Sequence, residues 1–196
     1  ISCFSFFANK IITTGEGGMV LTNDDRLAEK LRAYRNLCFQ EKQRFLHDEI
    51  GHNYRFTNIQ AAVGLAQFER IEAFVERKRD MAARYSRGLS GLPIKLPVER
   101  PWAKNVYWMY GMVIDEETKL NAKELATRLR SDGVETRPFF LGIHEQPVFK
   151  KMGFFKGVSL PVTERIARQG LYLPSGQAIT DEQIDYIIEK VRQEFA

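Results

Sequence analysis

The chain has 196 residues, 44% hydrophobic and 28% charged, with a formal net charge of +4. That is enough for one or two domains with a sizeable core. The charge is spread as mixed Lys, Arg, Glu and Asp with no basic run alternating with aromatics, which argues against a nucleic-acid footprint. No stretch approaches a membrane span, and no signal peptide is expected ahead of the first strand. Cys3 and Cys38 lack CxxC or His-rich companions, so neither a disulfide framework nor a metal site is indicated, and a reducing cytoplasm is the expected compartment.

In chain order, Ile1–Phe7 and Gly18–Thr22 read as paired strands around a Thr13–Gly18 glycine hairpin. The Phe- and Ile-rich first strand reads as buried, with Cys3 as a small core hydrophobe. Asn23 is a candidate N-cap for a helix from Asp24 to about Asn36. Residues 37–56, with His47, Asp48 and His52, read as a long polar connection of the kind that is functional or mobile. Thr57-Asn-Ile-Gln60 is a capping box. It opens a helix with an apolar stripe of Ile59, Ala62, Val63, Ala66, Ile71, Phe74 and Val75, running to Arg87 and spanning two domains. The boundary is expected near residue 90, giving domains 1–90 and 91–196.

Strands are expected at Pro93–Pro97, Tyr107–Ile114, Val134–Arg137 and Leu171–Leu173. Helices are expected from the Asn121 capping box to Ser131, after His144, from a Thr163 cap, and from the Thr180 capping box to Glu194. Strands interleaved with helices give a small α/β layer domain. Tyr107, Trp108 and Tyr110 read as strand packing.

Lys10 closes the first apolar run. An amine drawn toward low dielectric loses its proton more readily, and a neutral amine can attack a carbonyl. The alternative is a lysine that snorkels to water at a strand end. The longer pattern decides between them: Ser5-Phe-Phe-Ala-Asn-Lys10, Thr13-Thr-Gly-Glu-Gly-Gly18 and Gly51-His-Asn-Tyr-Arg-Phe-Thr-Asn-Ile-Gln-Ala-Ala62, in that order. Together they resemble the pyridoxal-phosphate-dependent sugar aminotransferases of the DegT/DnrJ/EryC1/StrS family, and the resemblance runs to the last helix. Thr136–Phe140 and Gln146–Phe149 look most like the perosamine synthase branch, which aminates C4 of a GDP-linked 4-keto-6-deoxy sugar.

The resemblance implies a fold-type I transferase: the C-terminal part of its large cofactor domain, joined by a long helix to a small α/β domain. It implies pyridoxal 5'-phosphate as cofactor, glutamate and a nucleotide-linked keto-sugar as substrates, and a homodimer with shared active sites. Lys10 would hold the cofactor as a Schiff base and move the proton. Lysine rather than histidine at this position favours transamination over dehydration. Ser5 would contact the cofactor phosphate, and Asn53 would reach it from the neighbouring subunit. Arg55, Arg137 and His144 are candidate substrate contacts; each also reads as an ordinary surface or structural residue. The family places an acid on the ring nitrogen, an aromatic over the ring and further phosphate donors ahead of its lysine. The chain therefore resembles the C-terminal half of such an enzyme and is expected to bind cofactor poorly alone. The alternative is a non-catalytic structural or dimerisation module.

Overall fold

A computed structural model describes residues 1–40 and 42–196; residue 41, inside the expected 37–56 connection, lies outside the described residues. The chain divides into two compact units, Ile1–Ala73 and Phe74–Ala196.

In the first unit, β1 (Ser2–Ser5) and β2 (Gly18–Leu21) pair antiparallel, Ser2 opposite Leu21 and Ser5 opposite Gly18. The expected pairing is there, but the expected burial is not: every residue of both strands is exposed, Cys3 included. A ribbon of two strands has no second layer of its own to cover either face. α1 (Asp25–Arg35) is capped by Asp24, whose carboxylate accepts from the Leu27 amide at 3.1 Å; the cap lies one residue beyond the expected Asn23. The connection to residue 56 pairs with the end of α1 through the bridge Asn36–Asn53 and with itself through Phe39–His47.

The helix expected from Thr57 to Arg87 is two helices. α2 (Asn58–Phe68) opens on the complete Thr57–Gln60 capping box and stops at Glu69; α3 (Ile71–Gly88) comes next. The division between units falls inside the first turn of α3, ahead of the expected boundary near residue 90. The reason is that α3 inserts Met81, Ala82 and Tyr85 into the core of the second unit, so its body packs with the strands and helices C-terminal to it.

That second unit is built on an antiparallel sheet in the order β3 (Ile94–Lys95), β4 (Tyr110–Ile114), β6 (Gly170–Leu173), β5 (Arg137–Pro138). Strand alternation sorts its side chains. Tyr110, Met112 and Ile114 of β4 and Leu171 and Leu173 of β6 are buried. They join one core with α3, α4 (Ala122–Ser131) and α7 (Asp181–Gln193). Tyr85 stacks on Tyr110 with ring centroids 4.8 Å apart. Both capping boxes expected here, Asn121–Glu124 and Thr180–Gln183, are formed. A 3-10 turn (Ile143–Glu145) leads to α5 (Pro147–Lys151) and α6 (Pro161–Gln169). α6 starts ahead of the expected Thr163 cap, because Pro161 supplies the fixed φ of a first helical residue. Among the described residues no helix is long and apolar enough to cross a membrane.

Candidate active site

The Lys10 segment is a closed loop at the end of the β1–β2 ribbon. The Phe6 carbonyl accepts from the Thr14 amide and the Thr13 hydroxyl, both at 3.0 Å, while the Phe6 amide donates to the Gly17 carbonyl at 2.9 Å. Lys10 lies in a turn beyond β1, its amide donating to the Phe7 carbonyl at 3.0 Å, and it is half-buried. The sequence placed it at the tip of a buried strand; its partial shelter comes from the loop instead. Ser5 ends β1, and its Oγ accepts from the Phe7 amide at 3.4 Å, so the hydroxyl proton is left to donate.

Glycine is required at two points of this loop. Gly15 adopts φ +78° and Gly17 φ +152°, and a Cβ on Gly17 would lie 2.4 Å from the Phe56 ring and 2.6 Å from the Thr14 hydroxyl. Phe56 also meets Phe6, ring centroids 6.3 Å apart. It thereby docks the end of the 37–56 connection onto the lysine loop. Three residues earlier, Asn53 accepts through Oδ1 from Arg55 Nε at 3.0 Å. The structure thus brings two predicted residues together, with the Asn53 amide N–H groups left to donate. Main-chain pairing of 52–54 with Tyr34–Leu37 holds this strip in register, and the His52 and Tyr54 rings stack at 4.9 Å.

Sequence reasoning missed the residues that clamp the loop. On α2, Gln60, Gly64 and Gln67 fall at i, i+4 and i+7, one face of the helix. Gln60 Nε2 donates to the Glu16 carbonyl at 3.0 Å while its Oε1 completes the capping box. Gly64 lets the helix approach Thr14: a Cβ there would sit 2.8 Å from the Thr14 methyl. Gln67 accepts from the Thr13 amide at 3.1 Å and donates to the Thr13 carbonyl at 2.6 Å. The part of the apolar stripe that lies on α2 is exposed: α2 buries no residue, and Ile59 is 79% exposed. The Gln–Gly–Gln spacing was the available signal.

In the second unit, Arg137 lies exposed on the edge strand β5, opposite Tyr172. Phe139 stacks on Tyr172 at 4.3 Å, over Gly111 and Gly170, where any Cβ would strike its ring; Phe140 is exposed. His144 is buried, its ring 3.0 Å from Glu164 Oε1, which also accepts from the Leu160 amide at 2.8 Å. That amide, then His144, holds the Glu164 carboxyl below the usual carboxylate range. The histidine ring is thus enclosed within the packing between the 3-10 turn and α6.

A model of the DegT/DnrJ/EryC1/StrS aminotransferase family matches residues 1–192. The chain belongs to that family. It is 34% identical over 195 residues to GDP-perosamine synthase of Vibrio cholerae, covering 100% of this chain and 53% of that protein. To GDP-perosamine synthase of Escherichia coli O157:H7 it is 37% identical over 193 residues, covering 98% and 51%. Among solved structures it is similar to S. venezuelae DesV, solved with a ketimine intermediate, at TM-score 0.86 and 33% identity over 98% of this chain and 50% of that one. The chain thus spans about half the length of the relatives it matches.

The chemistry of a DegT/DnrJ/EryC1/StrS aminotransferase implies pyridoxal phosphate, and the donor set fits it. Lys10 offers a primary amine for an aldehyde, and Ser5, on the same short segment, offers a neutral hydroxyl donor for a phosphate oxygen.

Proposed function

We propose that the protein containing this chain transfers an amino group from glutamate to C4 of a nucleotide-linked 4-keto-6-deoxy sugar, in the manner of a perosamine synthase, for a cell-surface polysaccharide. The observation that carries the reading is the Ser5–Lys10 segment: a half-buried lysine on the same short stretch as a serine hydroxyl with a proton to donate, on a loop clamped at both ends. The identity to two GDP-perosamine synthases favours the GDP-linked sugar over other nucleotides.

Pyridoxal phosphate, when bound, supplies an aldehyde that condenses with amines and a ring that accepts the electrons released when a C–H bond breaks. Lys10 Nζ would hold the cofactor and, as an amine, would move the proton to and from the substrate carbon. Ser5 Oγ and the Asn53 amide donate to the phosphate. Arg55, holding Asn53 through Nε, keeps its terminal nitrogens for a carboxylate or phosphate of the substrate. Arg137 and the aromatic pair Phe139–Tyr172 are assigned to the nucleotide, and His144 to holding the 3-10 turn against α6.

The outward apolar face of α2, with Ile59 and Phe68 exposed, supports a homodimer in which Asn53 acts across the subunit interface. The free, exposed Cys3 suits a reducing cytoplasm. In the full-length protein with cofactor, glutamate and candidate keto-sugars, mass spectrometry is expected to detect an aminated GDP-sugar. No aminated product from any GDP- or other nucleotide-linked keto-sugar would overturn the proposal. Lys10→Ala is expected to remove both turnover and the lysine-dependent cofactor absorbance.

A further inference from the structure

We infer that Gln67 is a positioning residue for Lys10, acting through the main chain of Thr13; the inference rests on the proposed role of Lys10 as the cofactor-holding amine. A glutamine side chain is an amide, and here it takes the place a neighbouring β-strand would fill. It offers Oε1 to the Thr13 N–H at 3.1 Å and Nε2 to the Thr13 carbonyl at 2.6 Å. The orientation of the amide is fixed by its third contact. Nε2 also donates to the Val63 carbonyl at 2.9 Å, and only the NH2 end can serve two carbonyls. Gln67 is therefore anchored to its own helix and to the loop at once.

Thr13 is the hinge on which Lys10 depends. Its hydroxyl donates to the Phe6 carbonyl and also accepts from the Gly15 amide at 2.9 Å; with the adjacent Thr14 amide it closes the base of the loop whose apex is Lys10. β1 and β2 are exposed along their whole length, so the ribbon itself provides little packing to fix that base. The α2 face provides it. Gly64 permits the close approach, Gln60 holds the far end at Glu16, and Gln67 holds the end nearest the lysine. A reacting atom displaced by about 1 Å can lose ~100-fold in rate. A side chain that never touches the cofactor can thus act on turnover.

The test uses the full-length enzyme carrying Gln67→Met, Gln67→Glu or Lys10→Ala. In cofactor-free protein, amide exchange at Thr13 is expected to accelerate at least ~10-fold in Gln67→Met, which offers neither donor nor acceptor. In loaded enzyme, kcat is expected to fall ~10- to 100-fold with KM for glutamate changed less than ~3-fold. Gln67→Glu keeps the acceptor and loses the donor; its activity relative to wild type is expected to rise as pH falls and the carboxyl regains a proton. A folded Gln67→Met with wild-type exchange and kcat, while Lys10→Ala is inactive, overturns this inference alone. Should Gln67→Met fail to fold, a pH-independent ratio for Gln67→Glu overturns it. Lys10→Ala that retains turnover overturns the proposed role of Lys10 and this inference with it.

Discussion

Lys78 offers a sharp test of how the second unit is held together. It lies on α3 with 3% of its surface exposed, and its Nζ donates to the Ser175 carbonyl. No ion pair to it occurs among the described residues. Desolvation by burial pushes its pKa down from its ordinary 10.5 to about 8. The folded state therefore binds fewer protons than the unfolded chain between pH 8 and 10.5. Stability rises with pH through that window, while below pH 8 the penalty of the buried charge is present in full. At 1.36 kcal/mol per pH unit, the wild type should gain about 2 kcal/mol between pH 7 and 9.5 relative to Lys78→Met, which cannot titrate. Taking the difference matters, because Tyr110 works in the opposite sense: burial raises its pKa to about 12, so stability falls as the unfolded tyrosine ionises above pH 10. The assay is urea unfolding of both proteins at matched pH values, monitored by far-UV circular dichroism. A difference in stability that stays constant from pH 7 to 9.5 would refute the reasoning.

Two further outcomes are expected. Gly15→Ala meets open space and bears only the left-handed backbone penalty, about 1–2 kcal/mol, whereas Gly17→Ala must also displace the Phe56 ring and should cost at least about twice as much by equilibrium unfolding. Glu164→Gln should destabilise the protein at pH 7 by a margin that shrinks as pH falls. A carboxylate whose folded pKa is depressed gives its stabilisation above the ordinary 4.5 and loses it as pH drops through the folded value. Urea midpoints at stepped pH check this, and a margin that widens in acid contradicts it.

The capping boxes at Thr57, Asn121 and Thr180 were legible in the sequence because a cap is a local bargain between side chain and backbone, settled within four residues. The β1–β2 hairpin was legible from its glycines for the same reason. Inference from apolarity to burial was what misled. Phe4 and Cys3 of the first strand read as buried in sequence and are exposed in this chain, because burial depends on what lies opposite and not on the residue alone. The single long helix was a related error, since the apolar spacing continues through Glu69 and Arg70 while the backbone does not. Of the candidate site, Lys10, Ser5 and Asn53 are proposed through motif resemblance, whereas the Asn53–Arg55 contact and the Gln67 clamp were not legible in the sequence. Both are side-chain contacts made by folding, and Gln67 lies 54 residues from its partner.

The most direct measurement of the central claim is the covalent address of the cofactor. Full-length protein loaded with pyridoxal phosphate is reduced with borohydride, digested and mapped by tandem mass spectrometry. The account predicts a single pyridoxyl adduct, on the peptide bearing Lys10. An adduct on another lysine with Lys10 unmodified, or none in protein that retains turnover, would contradict it.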